Sequence, residues 1–373
     1  MGMNEQGGLF SGLRVNTLRL PNRFVMPAMQ RGFCRNGRPA EALAAYYRRR
    51  VEGSVALIIS ESCAIDHPSA TAQPSAAALS DATLNGWAMC AEEVHRAGGH
   101  FLIQLWHEGA LRTAQDGHTI SPSGWIRAGK ANGRAAGAGE LEAVKAAYVA
   151  AAFHARQIGA DGVEVHAAHG FLLDQFLWSQ TNRREDIYGG ADLADRARFP
   201  AGVVADIRAA CGPDFVISFR FSQWKEADYD ASIASSPVEL SRFIQTIEKA
   251  GADLLHVSTR RFWTPEWPDD PRGLAGWVRS FTSLPVITVG SVGLDRDVMT
   301  SFSAQSEARS TVSQSVAELE RRFALGEFDL VSIGRGLIGD PDFVMKVRER
   351  RYDAIRAFQK SDLAMLEWDM GAE

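Results

Sequence analysis

Cysteine is scarce in this sequence, and its spacing excludes the common cysteine-based sites. The four cysteines, Cys34, Cys63, Cys90 and Cys211, are widely scattered among 373 residues and form no CxxC pair. Zinc ribbons and cysteine-ligated iron–sulfur clusters need closely spaced thiolates, so neither kind of site is expected. Scattered thiols of this kind are typical of proteins in a reducing compartment, and we predict a cytoplasmic location.

Long apolar runs and a strong excess of one charge are also missing. No window approaches the roughly 18 unbroken apolar residues of a membrane span. The first ten residues, MGMNEQGGLF, are too polar for the core of a secretory signal. The formal net charge is only −5, which argues against nucleic acid or an anionic membrane as the main partner. We therefore expect a soluble globular protein whose main partner is neither nucleic acid nor an anionic membrane.

What the sequence does contain is a repeated unit of a helical stretch, a glycine and a short β-rich run. The unit is clearest in EGSVALIIS, IGADGVEVH, AGADLLHVS and LGEFDLVSIG. The glycines fit helix C-caps, and the apolar runs fit buried parallel strands. Eight β-rich runs begin at Arg23, Ala56, Phe101, Gly162, Phe215, Leu254, Pro285 and Leu330. This alternation predicts a (β/α)8 TIM barrel, with a doubly wound parallel sheet as the alternative.

The helical stretches carry their own signals, and none of the loops resembles a domain linker. Ser236, Pro237 and Glu239 fit the N-cap, N1 and N3 positions of a helix. We predict one domain over residues 1–373 with two interruptions. Residues 112–139 are rich in Gly and Ser and form an excursion after the third strand, and residues 303–326 add a helical segment before the eighth strand.

Polar and glycine residues mark the ends of the predicted strands. In a TIM barrel these ends converge on one site. The residues concerned are Met29, Gln30, Arg31, Glu61, Ser62, Gln104, His107, His166, His169, Arg220, Thr259, Arg260, Gly290, Ser291, Gly334 and Arg335. Strands seven and eight end in glycines with a basic side chain, where barrels commonly hold a phosphate. The sequence predicts a phosphorylated ligand or cofactor, unless these glycines only turn the chain.

The stretch GRGLIG, residues 334–339, formally matches the dinucleotide-binding pattern GxGxxG. A dinucleotide-binding fold needs a further strand and an acidic residue about 20 residues on. The residues that follow, DPDFVMKVRER, instead indicate a helix, and only a short tail comes after them. We therefore interpret the stretch as a loop for a single phosphate.

His166 and His169 stand at the end of the fourth strand, in VEVHAAHGF. Residues three apart face opposite sides of a regular strand, but a turn near Ala167 would bring both imidazoles into the barrel mouth. They can be structural, they can be a metal pair that still lacks a third ligand, or they can donate hydrogen bonds to a ligand oxygen. Donors placed where negative charge develops are a strong catalytic device.

Long segments of the chain resemble the old yellow enzyme family of FMN-dependent oxidoreductases. The resemblance begins with SGLRVNTLRLPNRFVMPAMQRGF, which is similar to the family's N-terminal hairpin and first strand. It continues in LIISESC, FLIQLWHEG, HAAHGFLLDQFLWSQTNRREDIYGG, ISFRFSQW, ITVGSVG and SIGRGLIGDPD. The fourth of these seven segments is long and highly specific. The resemblance thus covers nearly the whole chain.

This resemblance implies a non-covalent FMN cofactor and assigns residues to it. The residues implied to hold FMN are Ala28, Met29, Gln30, Ser62, Gln104, Arg220, Gly290, Ser291, Gly334 and Arg335. The last four would hold the phosphate, and Arg220 would face the flavin edge where negative charge gathers on reduction. His166 and His169 would grip the carbonyl or nitro oxygen of an activated alkene.

The implied activity is reduction of small electron-poor alkenes, such as enones and nitroalkenes, with NADH or NADPH by a ping-pong hydride transfer. The partners are then a small-molecule alkene and a nicotinamide, and the sequence leaves open a homo-oligomer. One alternative is a flavin dehydrogenase or demethylase on the same scaffold. Another is a flavin-binding protein with a sensor or binding role.

Three positions depart from the family pattern. Ala28 stands where many members have proline, and Gln30 stands where they have threonine or cysteine, which should change the redox potential. Phe171 replaces a tyrosine that often serves as the proton donor. A phenyl ring has no proton to give, so the proton must come from water or from another donor. If a side chain is the acid, His107 and the residues of 112–139 are the candidates.

Overall fold

The computed structural model of the protein describes residues 7–304 and 306–366. Eight parallel strands form a ring, in which each strand pairs with the next and the last pairs with the first. They are β1 (Phe24–Met26), β2 (Leu57–Ile65), β3 (His100–Trp106), β4 (Gly162–His169), β5 (Val216–Lys225), β6 (Leu254–Ser258), β7 (Val286–Val289) and β8 (Leu330–Ser332). The closure confirms the predicted TIM barrel and rules out a doubly wound sheet, which has free edges.

One principal helix follows each strand on the outside of the barrel. The helices are α1 (Glu41–Glu52), α2 (Leu84–Arg96), α3 (Ala138–Gln157), α4 (Arg198–Cys211), α5 (Pro237–Lys249), α6 (Leu274–Arg279), α7 (Val312–Ala324) and α8 (Phe343–Arg348). Helix α5 begins as predicted, because the Ser236 side chain accepts the backbone N–H of Glu239. Across the described ranges, no helix combines the length and the apolar character that crossing a membrane requires.

An N-terminal hairpin closes the bottom of the barrel. Its strands, Leu13–Val15 and Leu18–Leu20, pair antiparallel. Val15, Leu18 and Leu20 are buried in one apolar cluster with the first residues of several barrel strands, among them Leu57 and Leu254. The hairpin that the sequence predicts is therefore present, and it leaves only the C-terminal end of the barrel for a ligand.

Shorter elements connect the barrel units, and several fall within the segments that the sequence singles out. The short strands are Ala77–Leu79, Ile120–Ser121, Trp125–Arg127, Lys130–Ala131 and Arg134–Ala135. The short α-helices are Leu172–Leu177, Leu193–Arg196, Val298–Ser303 and Arg335–Gly339, and the 3-10 helices are Gly8–Phe10, Gly109–Leu111, Tyr352–Ala354 and Lys360–Ala364.

The single-domain organisation over residues 1–373 stays a prediction, because residues 1–6, 305 and 367–373 lie outside the described residues. From residue 335 to residue 366 there is no strand, so GRGLIG lacks the second strand of a dinucleotide-binding fold.

The register of the strands places polar side chains beside one another in the barrel interior. Glu164 on β4 is aligned with Gln104 on β3 and with Ser218 on β5. Two residues further along, Arg220 on β5 is aligned with His166 on one side and with His256 on the other. Side chains two residues apart share one face of a strand, so these residues form two successive interior layers.

Candidate functional site

A cavity of about 380 Å³ is built from the C-terminal ends of the barrel strands and the loops that follow them. It is lined by all twelve residues that the sequence analysis assigns to the site: Ala28, Met29, Gln30, Ser62, Gln104, His166, His169, Arg220, Gly290, Ser291, Gly334 and Arg335. Its volume falls within the range of small-molecule sites. The structure thus brings the twelve residues together, while their individual roles remain predictions.

Aromatic and acidic residues that the sequence analysis missed complete the wall of this cavity. Trp224 and Tyr229, near the end of β5 and in the loop after it, line the cavity together with Glu226. The Trp224 ring centroid lies 4.6 Å from that of His169 and 5.3 Å from that of Tyr229. These three residues could have been predicted from the sequence, because they lie in the stretch QWKEADY, which continues directly from the strand that carries Arg220.

Three polar strand-end residues, Arg31, Glu61 and His107, lie outside the cavity and support its loops. His107 is fully buried, with Nε2 2.8 Å from Ser69 Oγ and Nδ1 accepting the backbone N–H of Gly109 at 2.9 Å. Burial lowers the pKa of His107 to about 3. The Glu61 carboxylate accepts the backbone N–H of Arg31 at 3.1 Å, which braces the loop after β1. Neither His107 nor any residue of 112–139 lines the cavity, so the proposed proton donors from that region are misplaced.

A backbone irregularity brings the two cavity histidines together. Strand β4 extends to His169, but its register against β5 shifts between Ala167 and His169, and His169 has a left-handed φ of 66°. The Ser222 hydroxyl accepts the His169 backbone N–H at 2.9 Å, and the Glu226 backbone N–H donates to the His169 carbonyl at 3.1 Å. As a result, the imidazole centroids of His166 and His169 lie 5.0 Å apart on the same cavity wall.

Both imidazoles are neutral near pH 7. Burial, reinforced by the charge of Arg220, lowers the pKa of His166 to about 3, and the same two causes lower the pKa of His169. Neutral imidazoles can donate one hydrogen bond each without carrying a charge into the cavity. In the part of the chain that the structure describes, His166 Nδ1 has no hydrogen-bond partner.

A hydrogen-bond chain joins His169 to Arg220 through Ser258. Ser258 Oγ lies 2.8 Å from His169 Nε2 and accepts from Arg220 Nη2 at 3.4 Å. Because a hydroxyl can donate one hydrogen bond and accept two, Ser258 is a partner for either neutral form of the His169 imidazole. No group of three or more metal-ligand side chains lies close together in residues 7–304 and 306–366, so the structure supplies no third ligand for a metal pair.

A fully buried ion pair lies behind the turn that carries His169. Lys225 Nζ donates to Asp174 Oδ1 at 2.7 Å and to the Ser222 carbonyl at 2.9 Å. Asp174 Oδ2 accepts the backbone N–H of Gly170 at 2.6 Å. Burial raises the pKa of Asp174 to about 6, and the Lys225 charge opposes that rise. The pair thus joins the end of β5 to the turn that presents the histidine.

Glycines at the ends of β7 and β8 allow neighbouring protein atoms to approach the backbone closely at the cavity wall. Gly290 has φ +154°, and a Cβ there would lie 2.5 Å from Thr259 Oγ1. A Cβ on Gly334 would lie 3.3 Å from Met29 Sδ. The Arg335 guanidinium donates to Ser301 Oγ and to the backbone carbonyls of Arg296 and Asp297. Some of its hydrogen-bond donors are therefore already used within the protein. Its predicted phosphate contact stays a prediction.

Comparisons with known proteins show which protein family the chain resembles. A family model described as the NADH:flavin oxidoreductase / NADH oxidase family matches residues 8–315. An NADH oxidase of Thermoanaerobacter brockii is 32% identical over 371 residues, which cover 95% of this chain and 52% of the oxidase, so the chain spans about half the length of that relative. The 12-oxophytodienoate reductase 7 of Oryza sativa subsp. japonica is 29% identical over 370 residues, covering 92% of this chain and 88% of the reductase.

The fold is also similar to that of solved enzymes. Morphinone reductase in complex with tetrahydroNAD superimposes with a TM-score of 0.78 at 26% identity. The superposition covers 96% of this chain and 94% of the reductase. The likeness therefore extends over both the barrel and the loops at its C-terminal end.

Proposed function

The chain belongs to the NADH:flavin oxidoreductase / NADH oxidase family, the old yellow enzyme family that the sequence resembles, and we propose that it reduces activated C=C bonds of small electron-poor alkenes. The electron donor in this proposal is NADH or NADPH, and the cofactor is FMN. Support for the nicotinamide comes from the structurally similar morphinone reductase, whose solved complex contains tetrahydroNAD.

The residues present in the cavity fit a flavin mononucleotide. Arg220 and His166 line the cavity, and the buried Arg220 Nε and His166 Nδ1 atoms have no hydrogen-bond partner among the described residues. At Gly334 a Cβ would approach the side chains of Met29 and Pro27, which also line the cavity. In our proposal Gln104 and Ser62 hold the ring system, and Ser291 and Arg335 hold the phosphate. Bound FMN supplies hydride transfer between the nicotinamide and the alkene.

The paired histidines provide the observation that carries the alkene proposal. Two neutral imidazoles 5.0 Å apart line a cavity that also contains the Arg220 guanidinium. Addition of a hydride to an activated alkene places negative charge on its carbonyl or nitro oxygen. Donors held in place before the reaction stabilise such charge without reorganising. We propose that His166 and His169 donate to this oxygen and so orient and activate the alkene.

The experiment that tests this proposal has two parts. The purified protein is expected to be yellow and to release FMN on denaturation, as measured by the absorbance and fluorescence of the released flavin. With excess NADH or NADPH it should then convert 2-cyclohexenone to cyclohexanone, followed by gas chromatography. A protein that binds no added FMN would refute the cofactor. A flavoprotein that oxidises amines or alcohols but leaves the enone unchanged would favour the dehydrogenase alternative.

Phe171 leads to a prediction about the proton that completes the product. Its ring centroid lies 5.1 Å from His166 and 5.3 Å from Trp106, and it has no acidic hydrogen. A nitroalkene that has accepted a hydride becomes a stable nitronate, which water protonates slowly. We expect the wild type to release nitronate, and Phe171→Tyr to speed formation of the nitroalkane by about 10²–10⁴-fold, the usual contribution of a positioned acid.

Near-ultraviolet absorbance of the nitronate in stopped flow measures this proton step. Phe171→Leu is the matched control, because it also changes the ring but adds no acid, and it should leave the proton step unchanged. A wild type that protonates the nitronate as fast as it forms would contradict the prediction. The donor would then have to be sought among the acids that line the cavity, which are Glu226, Tyr229 and Asp297.

A further inference from the structure

Beneath the two histidines, the barrel interior holds a carboxylate with three hydrogen-bond donors. Glu164 is fully buried. Its Oε1 accepts from Gln104 Nε2 at 2.7 Å, and its Oε2 accepts from Ser218 Oγ at 2.9 Å and from His256 Nδ1 at 2.7 Å. The strand register explains these contacts, because Glu164 is aligned with Gln104 on one side and Ser218 on the other. None of the cavity functions described above uses this carboxylate.

The carboxylate determines how the Gln104 carboxamide is oriented. An ionised carboxylate can only accept hydrogen bonds, so the amide must turn its NH₂ group toward Glu164. At the other end, the Ser62 hydroxyl donates to Gln104 Oε1. Both Ser62 and Gln104 line the cavity. Glu164 therefore fixes which donors and acceptors these two side chains have left for a ligand.

Glu164 also offsets the charge of Arg220. Among the described residues no carboxylate lies within ion-pair distance of the Arg220 guanidinium, which is buried in the cavity wall. Burial lowers the pKa of Arg220, and the negative charge of Glu164 is the influence that opposes this. Charges in a buried site act over several ångströms because the surroundings screen them weakly. Without Glu164 the cavity would be more positive by one elementary charge.

We propose that Glu164 is a positioning residue for the cofactor. It holds the Gln104 carboxamide in one orientation. By offsetting the charge of Arg220, it also limits how strongly the cavity prefers reduced over oxidised FMN. The inference rests on the proposed function, because it requires FMN in this cavity. Orientation of the amide affects the affinity for both redox forms. The charge affects the difference between them, because reduction adds electrons to the cofactor.

Two substitutions separate these effects. Glu164→Gln removes the charge and permits the Gln104 amide to flip. It should weaken binding of oxidised FMN and favour the reduced form by at least about tenfold, a rise in potential of about 30 mV for a two-electron couple. Glu164→Asp keeps the charge but withdraws the carboxylate from Gln104. It should weaken FMN binding with little change in potential. Ser218→Ala is the control, since it removes one hydrogen bond but leaves the charge and Gln104 in place.

The dissociation constant of oxidised FMN, from fluorescence quenching, and the midpoint potential, from titration against a reference dye, are the two readouts. An unchanged or lower potential in FMN-loaded Glu164→Gln would overturn the proposal. If that variant does not fold, Glu164→Asp decides, and an FMN affinity within twofold of the wild type overturns it. A wild type that binds no FMN would instead refute the proposed function, so the two failures are distinguishable.

Discussion

Replacement of His169 by alanine is expected to lower the turnover of an enone by about 10²–10³-fold, the usual cost of losing one donor to a developing oxyanion. The reason is geometric. His169 is held on the cavity wall by its left-handed backbone and by Ser258, with its ring 5.0 Å from that of His166. His166→Ala should have a comparable effect, because the His166 side chain lines the same cavity.

The measurement is kcat for 2-cyclohexenone at saturating NADPH, with bleaching of the yellow colour by NADPH followed separately. The bleaching should persist in both variants, because it does not require the alkene oxygen to be held. His118→Ala, which changes an exposed histidine of a loop, is the matched control and should keep full turnover. Unchanged enone turnover in both His166→Ala and His169→Ala would show that the histidines do not hold the substrate.

Asp174→Asn is expected to lower the free energy of unfolding by about 3–5 kcal/mol, because it leaves the Lys225 ammonium buried without a counter-charge. Both side chains of this pair are completely inaccessible to solvent. Urea denaturation measures the effect. In the proposed function the substitution should also reduce enone turnover, since Asp174 accepts the backbone N–H of Gly170, the residue directly after His169.

Two further variants test the cause of that loss. Asp174→Asn combined with Lys225→Met removes both charges and should recover most of the stability, because a neutral pair needs no compensation. Arg242→Ala breaks a largely exposed ion pair with Asp192 and should cost less than about 1 kcal/mol. If Asp174→Asn is no more destabilising than Arg242→Ala, the buried pair is not a major contributor to stability.

The barrel and the outline of its site could be predicted from the sequence because both depend on local patterns. Each buried strand is a short apolar run, and each run ends in polar or glycine residues that a barrel necessarily gathers at one end. For this reason residues as distant in sequence as Gln30 and Arg335 could be assigned to one cavity, which they both line.

Lateral contacts between strands could not be predicted in the same way. Glu164 is an ordinary interior position in the pattern of β4, and its partners Gln104, Ser218 and His256 lie 60, 54 and 92 residues away. Only the register between strands shows that they meet. The left-handed backbone of His169 depends likewise on bonds from Ser222 and Glu226, on or directly after the next strand.

The closure of the barrel between its first and last strands has a consequence for how the chain folds. The Ser332 hydroxyl of β8 donates to the Val25 carbonyl of β1, 307 residues away. Until β8 has formed, β1 pairs only with β2 and its other edge is open. Contacts between residues so far apart in sequence form slowly, and an open strand edge can pair with strands of other chains. During synthesis the nascent protein therefore remains vulnerable to aggregation until residues near 332 have left the ribosome and completed the ring.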